Sequence, residues 1–246
     1  MAEVRLNVRL LEKTDNALAV VYAACRQCYS PEFAGEIFQK ALDSDDPAKI
    51  KDFIRKVIAS GHESPLEHVK FTFAIEGVSR ALTHQLVRHR VASYSQQSQR
   101  YVKESDFDYI TPPAFKKDDS LNERFVRMME EIQKGYNDIL EMLKGKGTEG
   151  EIANQDARFV LPQAAETKIV VTMNCRELKH FFAHRCCTRA QWEIRALAGR
   201  MLEICAQELP EVFAAAGAKC EELGYCPEGT KFSCGKYPVK SDVIKK

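Results

Sequence analysis

Hydrophobic and polar residues alternate with period two from Val4 through Leu10, where Val4, Leu6, Val8 and Leu10 interleave with Arg5, Asn7 and Arg9. That is the pattern of a strand with one buried face, so the chain opens in a sheet. Val69, Phe71, Phe73 and Ile75 repeat it against Lys70, Thr72, Ala74 and Glu76, and Gly77 is expected to close this strand. A third strand is expected from Glu166 to Met173, which is rich in β-branched residues.

Between the strands the period changes to that of a helix. Asp15 is placed to cap a helix running to about Cys28, with Leu18, Val21, Tyr22 and Cys25 at helical spacing, and a second helix fits about 47–60, ending at Gly61. A turn at Pro65 follows, then a helix from about Ser79 to His89. Residues 91–101 show no helical stripe and read as a loop passing into a strand. Residues 118–146 form a long amphipathic pattern with Leu121, Phe125, Met128, Met129, Ile132, Tyr136, Ile139 and Leu143 on the apolar side. Helices at about 175–188 and 190–216 complete the order. With no repeat and no Gly-, Ser- or Pro-rich linker, the chain reads as one α+β domain, 1–246, with an irregular tail after about residue 224.

The charge balance, 36 Lys and Arg against 35 Asp and Glu, supplies no general field for nucleic acid or an anionic membrane, and no apolar run approaches the ~20 residues of a span. A cytoplasmic protein is expected, with its nine cysteines as reduced thiols. Cys25 and Cys28 form a C-x2-C, and His180, His184, Cys186 and Cys187 lie close in sequence, but no second pair stands at zinc-finger spacing, so no metal is expected there; Cys226 and Cys234 in the tail could pair with each other or bind a metal, and the sequence does not decide.

The local charge is less even. From Gly77 to Lys103 there is no acidic residue, while Arg80, Arg88, Arg90 and Arg100 stand with His84 and His89. Arginine offers a planar fork of donors that matches two anionic oxygens at once, so this excess points to a phosphate or carboxylate ligand. Amides and hydroxyls beside it, from Ser93 to Gln99, suit recognition of a base or sugar. A second basic group follows the third strand: Arg176 and His180 are four apart, as are Arg185 and Arg189, with Asn174 at the strand-to-helix junction. A solvated cationic helix end is the alternative for the first group, and a plain amphipathic surface helix accounts for the second equally simply.

Arg88-His89-Arg90, then seven residues, then Ser98 and Arg100 resembles the RHR-x7-S motif of the flavin-dependent thymidylate synthases. The resemblance extends through Gly61-His62-Glu63-Ser64-Pro65-Leu66-Glu67-His68, Arg158-Phe159-Val160-Leu161-Pro162, Asn174-Cys175-Arg176 and Ala190-Gln191-Trp192-Glu193-Ile194, in the family's order. It implies an α+β fold, a curved mixed or antiparallel sheet flanked by long helices, and conversion of dUMP to dTMP with FAD, NADPH and methylenetetrahydrofolate.

The resemblance also implies that Ser64, Arg88, His89, Arg90, Gln96, Asn174, Arg176 and His180 contact FAD. Gln85, Leu86, Val87, Arg88, Gln96, Gln97, Ser98, Gln99, Arg100, Arg158 and Arg185 would contact dUMP, with Arg185 activating the pyrimidine without an enzyme nucleophile. Ser98 is expected to bind rather than attack, since no general base stands in the motif. The family's sites lie between subunits of a homotetramer. The chain departs from the commonest motif at Ser95 and Gln96, where Asn and Glu are usual, and at Arg189, where histidine is expected.

Overall fold

A computed structural model describes residues 1–243. Its four-stranded sheet has the order β1-β2-β4-β3, from β1 (Asn7–Lys13), β2 (Lys70–Ser79), β3 (Ala92–Gln96) and β4 (Glu166–Asn174). Asn7 donates to Glu76 and the Lys70 amide to Thr14, and the hydroxyls of Thr72 and Thr172 bond at 2.9 Å. These cross-strand pairs run antiparallel. Sheet and helices together make the expected α+β class.

The chain divides into two compact units interleaved in sequence: Met1–Arg9, Ala74–Arg88 and Tyr94–Val170 form the first, and Leu10–Phe73, His89–Ser93 and the chain from Val171 form the second. In the first, α5 (Asp119–Lys144) is the main helix, capped by Asp118, whose carboxylate accepts from the Leu121 amide at 3.0 Å. Its apolar stripe buries Met129 with Phe107, Tyr109 and Ala165, and Tyr136 and Leu140 with Ala153 and Ala157 of α6 (Gly150–Ala157). Leu121 and Met128, expected on that face, are 42% and 41% exposed, so the buried stripe is narrower than the pattern suggests. Gln133 is a polar exception with a task. It accepts from the Phe107 amide at 2.7 Å and donates to the Glu104 carbonyl at 2.9 Å, fastening the preceding loop to the helix.

The second unit centres on aromatics. Phe71 and Phe73 stack at 6.1 Å, and Phe213 meets both Phe71 and Phe182 edge-on at 5.8 and 5.9 Å. Around them lie α1 (Ala17–Gln27), α2 (Ala34–Leu42), α3 (Pro47–Ala59), α7 (Cys175–Arg185) and α8 (Trp192–Glu208).

Several expectations shift. Strand β2 does not stop at Gly77 but runs to Ser79. Gly77 takes φ +68°, and a Cβ there would lie 1.9 Å from the Arg5 carbonyl oxygen, so only glycine lets the N-terminal segment pass so close. Strand β1 starts at Asn7 rather than Val4, whose amide donates to the Tyr109 carbonyl at 3.2 Å. Asp15 caps nothing; Asn16, at φ 52°, is the residue before α1 and makes no side-chain cap. Residues 91–101 begin with their strand and end in a turn, the reverse of the expected order.

Helices α2 and α6, nine and eight residues long, are additions to the expected order. The helix expected over 190–216 breaks at Pro210, which has no N–H to continue it; Val212 and Phe213 remain buried in a short second helix. The tail after Gly224 is mostly turns but is tied back, with the Cys226 amide donating to the Pro238 carbonyl at 2.7 Å and Tyr237 to Glu221 at 2.8 Å. Residues 244–246, also in the expected tail, lie outside the described residues.

Candidate active site

In the second unit, α7 places its side chains by helical spacing. Asn174 caps it, accepting from the Glu177 amide at 2.8 Å, and the Cys175 amide donates to the Val69 carbonyl at 2.8 Å, which fixes where the helix leaves the sheet. Glu177, Phe181 and Arg185 follow at intervals of four and share a face. His89 lies against that face, 7% exposed, with its ring edge-on to Phe181 at 4.9 Å.

Both ring nitrogens of His89 are engaged. Nε2 accepts from Arg185 Nε at 3.1 Å, and Nδ1 lies 3.1 Å from Glu177 Oε1. An arginine N–H can only donate, so Nε2 carries no proton and the neutral ring's proton sits on Nδ1, donating to Glu177. Burial, then the charges of Arg185, His180 and His184, depress the His89 pKa to about 4, which keeps the ring neutral near pH 7. Burial raises the Glu177 pKa from its ordinary value, the cost of placing a carboxyl there.

The other second-unit candidates are more open. Ser64 is exposed at the head of a 3-10 turn (Ser64–His68), Arg90 is exposed without a carboxylate partner among the described residues, and Arg176 pairs with Glu67. His180 lines an open cavity of about 390 Å³ with Arg176, Glu63 and Lys179. His89, Glu177 and His180 are the one group among the described residues whose ligand atoms lie close enough for a metal ion, but the Arg185 guanidinium already occupies the His89 nitrogen. Of the C-x2-C pair, Cys25 is buried and Cys28 exposed.

The first unit holds the remaining candidates. Helix α4 (Arg80–Leu86) is capped by Ser79, which accepts from the Leu82 amide at 3.0 Å, and it ends before Arg88, so Val87 and Arg88 lie exposed in the turn beyond it. Gln85 is half-buried and Leu86 buried. Gln96, at the end of β3, donates through Nε2 to the hydroxyls of Thr83 at 3.1 Å and Thr167 at 3.2 Å. The Thr83 hydroxyl spends its own proton on the Arg80 carbonyl at 2.9 Å. The amide donates to both hydroxyls, whereas a carboxylate at 96 could accept from Thr167 but would meet in Thr83 a hydroxyl whose proton is already placed.

Ser98 accepts from the Arg100 amide at 3.2 Å in a turn that also bonds the Val102 amide to the Ser98 carbonyl. Arg100 pairs with Glu151, Gln97 is half-buried, and Arg158 stands exposed with no carboxylate partner among the described residues. Gln99 Nε2 is buried and lacks a hydrogen-bond partner. Burial and the Arg158 charge lower the Arg80 pKa from its usual value. Arg80, noted in the basic stretch but not among the site residues, therefore stands close enough to Arg158 to feel its charge.

A family profile described as "Thymidylate synthase complementing protein" matches residues 9–211. Flavin-dependent thymidylate synthases of Nitratidesulfovibrio vulgaris and Clostridium tetani are 57% and 51% identical, over 96% and 94% of this chain and 97% and 94% of their own. The chain belongs to the flavin-dependent thymidylate synthase family. Flavin-dependent thymidylate synthesis, a methyl transfer, is thus its activity, and flavin its cofactor. The crystal structure of a UMP/dUMP methylase, PolB from Streptomyces cacaoi, bound with 5-Br dUMP, has the same fold, with a TM-score of 0.71 and 23% identity over 87% of this chain and 95% of that one. No helix among the described residues is long and apolar enough to cross a membrane.

Proposed function

We propose that this thymidylate synthase converts dUMP to dTMP with FAD, taking its carbon from methylenetetrahydrofolate and its electrons from NADPH, and that it uses no cysteine nucleophile. The observation that carries the nucleotide assignment is in the first unit: an orphaned, buried donor on Gln99, in the same unit as Arg88 and Arg158, which have no carboxylate partner among the described residues. Buried polar groups are normally paired, and a base or phosphate oxygen would complete this one.

The dUMP set is then Gln85, Leu86, Val87, Arg88, Gln96, Gln97, Ser98, Gln99, Arg100 and Arg158, joined by Arg185. Arg158 and Arg100 anchor the phosphate, Arg100 leaving its exposed partner Glu151. The flavin set is Ser64, Arg88, His89, Arg90, Gln96, Asn174, Arg176 and His180. Its fit is electrostatic: the guanidinium groups of Arg88 and Arg90 are exposed and unpaired among the described residues, which suits a pyrophosphate. His89, its ring nitrogens occupied inside the protein, meets the cofactor through its main chain. Gln96 has its amide protons tied inward and presents its oxygen as an acceptor.

When bound, the flavin relays electrons from NADPH to the nucleotide. Carbon 5 of uracil is a weak nucleophile, and the fixed positive charge of Arg185 favours the ring ionised at N3, stabilising charge that grows as that carbon attacks. The methylene gains a hydride to become methyl, and the folate departs as tetrahydrofolate. The buried thiols are unsuited to nucleophilic attack. Burial raises Cys175 and Cys205 far above the usual thiol range and Cys25 and Cys186 to about 11, so none of these is a thiolate at neutral pH.

The active form is proposed to be a cytoplasmic homotetramer of 1–246 family domains, with each site drawn from different chains and no nucleic acid, membrane or metal partner. Phe159, Tyr101 and Ile152 of the first unit are 84%, 66% and 60% exposed, apolar surface that subunit contacts would cover. The test is turnover. Protein reconstituted with FAD should show flavin absorption that NADPH bleaches, and should form dTMP from dUMP only when methylenetetrahydrofolate is present; bleaching without dTMP would overturn the reading.

A further inference from the structure

The residue proposed to activate the pyrimidine is not held by substrate alone. Arg185 closes a buried chain, Glu177 to His89 to Arg185, whose two links are each 3.1 Å long and lie within the second unit. The chain has a direction. Glu177, when ionised, only accepts, so it draws the imidazole proton to Nδ1; Nε2 is left as the sole acceptor within reach of Arg185 Nε. A histidine of the opposite tautomer would present N–H to N–H and release the arginine.

Phe181 fixes the plane of the ring from the side, and His180, with its ring 5.9 Å from that of His89, stands beside it. The terminal nitrogens of Arg185 have no partner among the described residues and stay available. The pair Glu177 and Arg185, eight residues apart on α7, sits with its acid near the helix start and its base at the end, the arrangement the helix dipole favours.

We propose that Glu177 and His89 are positioning residues for Arg185, Glu177 setting the histidine tautomer and His89 aiming the guanidinium through Nε–H. The inference rests on the reading that Arg185 acts on the nucleotide. A ligand group held by such outer partners loses roughly 10–100-fold in function when they are removed, so Glu177→Gln should lower kcat by about that factor. Glutamine is nearly isosteric but can donate to Nδ1 and reverse the tautomer. KM for dUMP and flavin content should change little.

Five full-length holoenzyme variants decide the matter: Glu177→Gln, His89→Gln, His89→Ala, Arg185→Lys and the double variant Glu177→Gln/Arg185→Lys. Lysine has no Nε–H to receive the aim, so in its background Glu177→Gln should cost nothing further. His89→Gln, which restores an acceptor amide oxygen near the Nε2 position, should exceed His89→Ala in kcat. If Arg185→Lys keeps wild-type kcat, the reading of Arg185 fails; if it loses turnover while Glu177→Gln does not, or if the two losses multiply, the positioning proposal alone fails. With ¹⁵N-labelled histidine, the wild-type ring whose signals His89→Gln removes should be protonated at Nδ1 and bare at Nε2 across neutral pH, which tells it from His184, whose Nδ1 lies 2.8 Å from the His180 carbonyl. If that ring carries its proton on Nε2 instead, the proposal is overturned.

Discussion

Arg88 and Arg158 of the first compact unit and Arg185 of the second are prepared in opposite ways. In the first, Arg88 and Arg158 stand exposed with no carboxylate partner among the described residues, and the site residue held by side chains is Gln96, which is fixed by Thr83 and Thr167. In the second, Arg185 is held by a buried histidine that is in turn held by a buried glutamate. Unpaired surface cations cost little to maintain and await an anion; a buried charged chain costs desolvation and is worth keeping only where orientation matters. Binding is therefore assigned to the first arrangement and activation to the second.

The largest effect expected from breaking this contrast is at Arg185. Arg185→Ala should reduce kcat by roughly 10²–10³, the loss typical of one preorganised charge-stabilising donor, while the flavin spectrum is retained; steady-state kinetics on flavin-loaded protein check it. Next is Gln96→Glu, which restores the family's commoner residue. Because the Thr83 proton is already committed, it should destabilise the fold by about 1–3 kcal/mol. Thermal melts would show it, and an unchanged melting temperature would mean the hydroxyls reorient freely.

A smaller effect follows from pH. The folded His89 pKa of about 4 lies below the ordinary value of 6.5, so below pH 6.5 the unfolded chain binds a proton that the folded chain refuses. That contribution to stability is complete above pH 6.5 and is lost as pH falls from there through about 4. Glu177, shifted upward, has the opposite sign, its unfavourable share growing as pH rises through the carboxylate range. Melting curves of wild type against His89→Gln isolate the histidine: the stability lead of the wild type should shrink on acidification. The least effect is expected from Glu151→Ala. Its pair with Arg100 is exposed on both sides, so the loss of stability should stay under about 1 kcal/mol.

Much of this was legible in the residues. The strand alternation in β2 and the apolar stripe of α5 dictate their elements because each buries one continuous face. The acid-free run from Gly77 to Lys103 points to an anionic ligand, and the nucleotide assignment proposed above rests on it. What escaped was set by contacts distant in sequence. Arg5 crosses Gly77, where β2 runs on to Ser79, and no local pattern reports it. Glu177 was passed over because the basic pairs 176/180 and 185/189 drew the spacing argument, whereas the face that matters is 177, 181 and 185, an acid, an aromatic and a base at intervals of four. Its meaning depends on a histidine 88 positions away. The amide at Gln96 looked like a departure from the motif until the committed Thr83 hydroxyl gave it a reason.

The division of labour between the units is tested most directly by measuring bound flavin and dUMP affinity in the same two variants, Arg90→Ala and Arg158→Ala, each removing one exposed, unpaired guanidinium. Arg158→Ala should keep its full flavin and bind dUMP roughly 10–100-fold more weakly, the range for losing a hydrogen-bonded charge; Arg90→Ala should lose flavin. If Arg158→Ala sheds its flavin as readily as Arg90→Ala while holding dUMP normally, the assignment of the two regions is contradicted.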